Sequence, residues 1–486
     1  MRNRRSFVWI TILVSAVMSA PSVAQQQQTP LPRVKGDTAK INHYEFSAQQ
    51  TIEYAKKNSV QVKNALLDVK MQEQVNRELT AAAWPKLNGA IGTTYNPNVM
   101  VQVIPNFIAP STYQVLIDEG IKDGNGNPIV MPGDFGNIAA QFGTKYSASA
   151  GVNLSQLLFD GQVFVGLQAR STAVDWKTKL ADVTEESIRV NVYKIYYQLV
   201  VSKTQVELLD SNIALLTKLH SDTRAIYNSG FAERLDIDKV SVRLTNLYTE
   251  KSRVLNTIAN GYYGLKTLIG MPLRDELVLT DTLSDELIKR NVLEVSEYSY
   301  EDRNSYQYAL LGKRLNEYNL KRYKLSLLPT LSLNGNYSKS AQRNQWDFLE
   351  LGGDWYTTSS ISASIQVPIF NGFFTKSKIE QSKISLQATN NQIEALKLSI
   401  DNEVISARND FTTAIATLDF QKENMLLAEK VYQQTKTKYD VGTGSQTELT
   451  TAQTDLKAAQ TNYINAMYDA VIAKIDYLQA IGKLSQ

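Results

Sequence analysis

The feature that most constrains this chain is an internal echo. Tyr227-Asn228-Ser229-Gly230 closes one long helical pattern, and Tyr439-Asp440-Val441-Gly442 closes another 212 residues later. The same offset links Gly270 in Leu268-Ile269-Gly270 to Gly482 in Ala480-Ile481-Gly482, and Phe159-Asp160-Gly161 stands 211 residues before Phe370-Asn371-Gly372. A tandem duplication of this period, with long helices and a pair of strands in each half, leaves few architectures open.

The helical stretches carry a seam. Apolar residues fall at alternating steps of three and four through Val404, Ala407, Phe411, Ala414, Leu418, Met425, Ala428, Tyr432 and Tyr439, interrupted by Gln421 and Thr435. The shifted set is Val192, Ile195, Leu199, Val206, Leu209, Ile213, Leu216 and Tyr227, with Ser202, His220 and Thr223 as its weak points. A 3-4 repeat sustained this long predicts helices packed side by side, knobs into holes. No Pro or turn cluster interrupts 162–227 or 375–439, so each helix reaches roughly 100 Å at about 1.5 Å per residue. A glycine turn follows each, then a returning antiparallel helix, Leu235 to Leu268 and Thr447 to Leu478.

Ahead of each long helix the period changes to two. Tyr146, Ala148, Ala150, Val152 and Leu154 alternate with small polar residues, as do Ile361, Ala363, Ile365, Val367 and Ile369. Leu87 to Tyr95 after Pro85, and Leu331 to Tyr337 after Pro329, read as two further strands, each proline ending a helix. One apolar and one polar face suits either a membrane β-barrel or a soluble sandwich. Four strands cannot close a barrel alone, so in a membrane their edges require pairing between chains. The first half is 33 residues longer between proline and glycine, and the segment 96–141, in which the excess lies, reads as a long surface loop.

Arg2, Arg4 and Arg5, the apolar run Phe7 to Val17, and Ser22-Val23-Ala24 before Gln25 form the pattern of an export signal over 1–24. Its apolar run is shorter than the roughly 20 residues that span a bilayer. Removing it lowers 51 basic residues to 48, equal to the 48 acidic ones, so a neutral chain gives no reason to expect nucleic acid as partner. Cysteine is absent, excluding disulfides and thiolate chemistry.

Catalytic patterns are missing. No phosphate-binding glycine loop, metal-ligand cluster or nucleophile elbow appears, and no cofactor or metal is implied. His43 and His220 are the only histidines. His220 beside Asp222 offers one acid–base pair, but it occupies the seam position equivalent to Tyr432, which points to a partly buried helix contact. An enzyme is not expected.

Helix, strand, loop, strand, very long helix, glycine turn and returning helix, all twice, resembles the TolC-like outer-membrane efflux protein family. The resemblance runs from about Ser47 to Leu484, and its telling words are Leu157-Leu158-Phe159-Asp160-Gly161, Val367-Pro368-Ile369-Phe370-Asn371-Gly372 and Tyr439-Asp440-Val441-Gly442-Thr443. It implies a mixed α/β membrane protein and a homotrimer: four strands per chain close a twelve-stranded outer-membrane β-barrel, continued by a periplasmic α-helical barrel. Its implied units are 1–24 signal, 25–46 N-terminal extension, 47–270 first repeat, 271–302 equatorial linker and 303–486 second repeat. Implied partners are outer-membrane lipid, a periplasmic adaptor (membrane fusion) protein and an inner-membrane transporter; the implied function is the passive exit duct of an efflux or type I secretion system. By position Gly161 and Gly372 mark strand-to-helix transitions, Gly230, Phe231, Gly442 and Thr443 the tip turns that meet the adaptor, and Asp236 and Glu448 a gate. Either acid equally suits a helix N-terminus, where it complements the dipole. The competing reading of the whole chain is a periplasmic or surface coiled-coil scaffold without conduction.

Overall fold

A computed structural model describes residues 41–283, 288–289, 297–350 and 352–484. The export signal, most of the N-terminal extension and part of the equatorial linker lie outside the described residues.

The chain opens with β1 (His43–Phe46), α1 (Ala48–Asn58) and α2 (Val60–Ala81). Trp84-Pro85 ends the helical path, and β2 (Lys86–Tyr95) begins directly after it. The segment read as a loop has structure of its own: β3 (Val101–Pro105), α3 (Ile108–Asp118) and β4 (Asn137–Gln141). Its ladder is only five residues long, too short to announce a period. β5 (Tyr146–Phe159) leads into the 68-residue α4 (Gly161–Asn228), which α5 (Arg234–Ile269) follows. After β6 (Glu276–Leu279) and a single 3-10 turn come α6 (Asn304–Leu325), β7 (Thr330–Arg343), β8 (Tyr356–Gln366), the 67-residue α7 (Phe374–Asp440) and α8 (Gln446–Ala480).

Helices of this length hold together through lateral packing, since propensity alone leaves isolated helices marginal. Val192, Leu199, Leu209, Ile213 and Leu216 of the predicted seam are buried on α4, as are Val404, Phe411, Leu418 and Tyr432 on α7. Tyr227 breaks the pattern: it is exposed where Tyr439 is half-buried. The two long helices run the whole height. On the sheet side of the middle they pack in the order α2, α4, α6, α7; on the turn side the order is α5, α4, α8, α7. On either side of the middle the described residues therefore supply four helices, although no single segment of sequence supplies all four. Among the described residues, no helix is long and apolar enough to cross a membrane.

The middle is where the chain's ends and linker meet. β1 pairs in parallel with β6, His43 opposite Glu276 and Phe46 opposite Leu279. The stretches read as an N-terminal extension and an equatorial linker thus build a strand pair, which neither could announce alone. Beneath it Ile52, Leu265, Ile269 and Tyr196 are fully buried, each large apolar side chain contributing about 1.5–3 kcal/mol. The Tyr196 hydroxyl donates to the Phe46 carbonyl at 3.0 Å and accepts from the Asp281 N–H at 3.2 Å. Burial pushes its pKa up to about 12, keeping it a donor at all ordinary pH. Opposite, Tyr298 and Tyr300 donate to Asp401 at 2.6 and 2.9 Å, and the buried Arg303 donates to the Ala480 carbonyl at 2.7 Å and to Glu403 at 2.8 Å.

Candidate functional site: the sheet and the hairpin tips

β2, β5, β7 and β8 form one antiparallel sheet in that order. β2 and β8 span ten and eleven residues, the length a tilted strand needs to cross a bilayer. The expected strand through Ile369 stops at Gln366, because Pro368 lacks an N–H and restricts the residue before it. Register sorts the side chains. Leu87, Ile91, Leu154, Val152, Tyr337, Ile361 and Ile365 share one face, and Asn88, Asn153, Asn336, Ser149, Ser338, Ser360 and Ser364 share the other. Ile91 is 91% exposed and Ile361 85%, an arrangement with a large hydrophobic cost in water. The polar face is neutral along all four strands except for Lys86 at the helical end. Asn336 donates across to Asn153, and the Ser332 and Ser364 hydroxyls bond at 2.8 Å. Aromatic residues gather at both ends: Tyr95 stacked on Tyr146 at 4.8 Å at one, and Trp84, Phe159, Phe164, Phe370 and Phe373 toward the helices at the other. Such girdles flank the apolar band of membrane barrels.

The two strand-to-helix transitions are not equivalent. Asp160 caps α4 by accepting from the Gln162 N–H at 2.7 Å, and a Cβ on Gly161 would lie 2.6 Å from the Leu325 carbonyl oxygen, so glycine is required by close approach. Gly372 has open space around it but a φ of +61°, and Phe373 follows it into the left-handed region at +64°. The second helix therefore starts later, at Phe374.

The tip turns agree more closely. Both long helices end in a Schellman motif with glycine in the left-handed conformation, Gly230 at φ +82° and Gly442 at +78°. Phe231 N–H returns to the Ile226 carbonyl and Thr443 N–H to the Lys438 carbonyl, each at 3.0 Å. Phe231 is left 86% exposed at the extremity.

Asp236 and Glu448 stand at the same position, the third residue of α5 and of α8, with different partners. Glu448 is half of a capping box: its N–H donates to Ser445 Oγ at 3.1 Å and its carboxylate accepts from the Ser445 N–H at 3.2 Å. The signature Ser445-x-x-Glu448 was legible in the sequence. Asp236 has no such box, because Glu233 occupies the cap position without a side-chain bond; its one ion pair is with Lys239 at 3.6 Å. Burial raises the pKa of the Tyr439 hydroxyl on the other hairpin, and the carboxylates of Asp236, Asp440 and Asp222 add to the shift. Further from the tip, Arg243 of α5 donates to the Thr450 carbonyl of α8 at 3.0 Å, Asn212 donates to Gln460 at 3.0 Å, and Lys457 pairs with Glu250. These polar ties between hairpins carry no periodic signal, so sequence reasoning missed them. His220 is half-buried on α4. Among the described residues, no group of acidic or histidine side chains is arranged to hold a metal ion.

A sheet with one exposed, largely apolar face, charged only toward its outer end at Lys339 and Arg343, standing on helices far longer than a globular core uses, has counterparts among known proteins. The family model described as "Outer membrane efflux protein" matches residues 312–483. TolC of Vibrio cholerae is 23% identical over 343 residues, covering 70% of this chain and 77% of that one. BepC, an outer membrane efflux protein of Brucella suis, is 22% identical over 352 residues, covering 70% and 73%. The solved structure of CusC superposes with a TM-score of 0.71 at 15% identity, covering 95% of this chain and 98% of that one, which establishes the fold. Over residues 312–483 the chain matches the outer membrane efflux protein model, and along most of its length it is similar to TolC-like outer-membrane proteins, which supports a place in the outer membrane.

Proposed function

We propose that three copies of this chain close a twelve-stranded barrel and a helical tunnel beneath it, and that this assembly is the passive exit duct of a tripartite efflux or type I secretion system. One observation carries the reading: the molecule has two unsatisfied sides. β2 and β8 are open edge strands, which no protein can leave in a bilayer unpaired. Their sides continue down the helices as exposed apolar stripes, Leu67 and Val75 of α2 with Val242 and Leu255 of α5 on one flank, Leu398, Ile405 and Phe420 of α7 on the other. A head-to-tail contact of one flank on the other closes a ring.

In that ring the apolar sheet face meets lipid and the amide- and hydroxyl-bearing face lines the passage. A neutral wall asks for no chemistry, so the energy comes from an inner-membrane transporter acting through a periplasmic adaptor. The adaptor docks at the tip turns of Gly230, Phe231, Gly442 and Thr443. Rings of Asp236 and Glu448 at the narrow mouth make the resting duct favour cations. The segments 47–270 and 303–486 are its two repeats, joined by the linker 271–302.

Planar-bilayer conductance of the purified mature protein, with oligomeric mass measured on the same sample, tests the proposal. Stable trimers passing small cation-selective currents are expected; a soluble monomer without channel events would sink it and favour the scaffold.

A further inference from the structure

The segment between β2 and β5 holds an apolar surface that the duct does not use. β3 and β4 prolong the β2–β5 hairpin: Asn96 N–H donates to the Lys145 carbonyl at 2.7 Å and Phe142 N–H to the Met100 carbonyl at 3.0 Å. The ribbon therefore rises beyond the stacked Tyr95–Tyr146 pair, away from the helices. Its open edge is the continuation of β2's open edge. From Asn96 to Ile117 the sequence has no charged residue, although open edges exposed to water usually carry charge as protection against pairing. Val101, Val103, Phe107, Ile108 and Val115 are all exposed there.

The other flank offers a match. β8 begins at Tyr356, and β2 and β8 differ by one residue in length, so pairing them end to end between copies with apolar faces matched sets Ile91 opposite Ile361 and Tyr95 opposite Thr357. The ribbon of one chain then runs past the β7–β8 connection of its neighbour, where Trp346 (53%), Leu349 (86%) and Trp355 (37%) are exposed. We infer that the β3–α3–β4 insertion of each chain docks through its charge-free outer face on the aromatic β7–β8 connection of the next copy, forming an extracellular collar that locks the three barrel seams. This rests on the trimeric reading above. It gives the extra residues of the first half a physical role: they cover an apolar edge exactly where the barrel ladder ends and water begins to compete for its hydrogen bonds.

The chain has no cysteine, so engineered pairs report only the chosen contact. V103C with L349C tests the collar, and A90C with S362C, facing the passage on the two edge strands, tests the barrel seam. Both are to be treated with a short bismaleimide in outer-membrane fractions and read as covalent trimers. Linkage of both pairs supports the collar. Linkage of the seam pair alone overturns it and leaves the trimeric duct standing, and V103C shielded from a water-soluble maleimide in that case assigns the face to lipid. Linkage of neither overturns both readings. A second variant avoids cysteine: I108N with V115N lowers the temperature at which trimers dissociate in detergent without changing single-channel conductance, and an unchanged dissociation temperature counts against the collar.

Discussion

The two hairpin tips are built on one plan and finished differently. Each long helix ends at a left-handed glycine, each turn takes five residues, and each returning helix has an acid at its third position. In the second hairpin that acid is held by Ser445 in a capping box; in the first, Glu233 replaces the serine and Asp236 is left with Lys239. The comparison separates two roles that one residue type can fill. A carboxylate bound to its own helix start stabilises the turn, whereas one released from the cap remains available to the field of the tip.

The largest effect lies in breaking the contrast between tip and root. Gly270 ends α5 at φ +74°, and a Cβ there would lie 2.3 Å from the Asn58 carbonyl oxygen, whereas a Cβ on Gly230 meets nothing within 4 Å. Gly270→Ala should abolish most folded protein while Gly230→Ala lowers its yield only modestly; equal yields from outer-membrane preparations would contradict the close approach. Next comes the tip turn itself. Gly442→Val should cost about 1–2 kcal/mol through the left-handed conformation and impair drug resistance, and normal resistance would place the working turn elsewhere.

A smaller change tests the caps directly. Ser445→Ala should destabilise the start of α8 by about 1 kcal/mol, and Glu233→Ser should stabilise the start of α5 by building the missing box. Hydrogen exchange at the first turns of both helices reads the two shifts, which must have opposite signs. For the gate, Asp236→Ala with Glu448→Ala should weaken cation preference and block by multivalent cations, with Asp236→Ala alone giving most of the loss. Unchanged reversal potentials in the double variant would remove the gate.

The smallest effect is at the root strand pair. His43 lies 3.2 Å from Glu276 and 3.4 Å from Glu45, and hydrogen bonding to Glu276, then to Glu45, raises its pKa above the ordinary 6.5. A raised folded-state pKa means the contribution is fully present below pH 6.5 and is lost as pH rises through the folded value. Amide protection of β1 should therefore decline slightly from pH 5.5 to 8, and His43→Gln should flatten that slope.

Long-period patterns were legible. The seam through Val404, Phe411 and Leu418 and the alternation through Tyr146 to Leu154 name their elements because a buried face repeats many times over. The short pieces were not: β1, β6, β3 and β4 have four or five residues each, too few for a period to stand above chance, and their partners are hundreds of residues away or across a disguised ribbon. At the tip, Ser445-x-x-Glu448 is a local cue to the capping box, while the ties of Arg243 and Asn212 depend on which helices lie side by side.

By itself the sequence determined the helix lengths, the two turns, the strand faces and the absence of cysteine chemistry, because periodicity, glycine and proline act locally through backbone sterics and hydrogen bonding. Tertiary structure decided which helices share each level, that β1 closes on β6, and that Glu448 is held by Ser445 while Asp236 is not. Those outcomes depend on distances between segments far apart in the chain, which only packing can set.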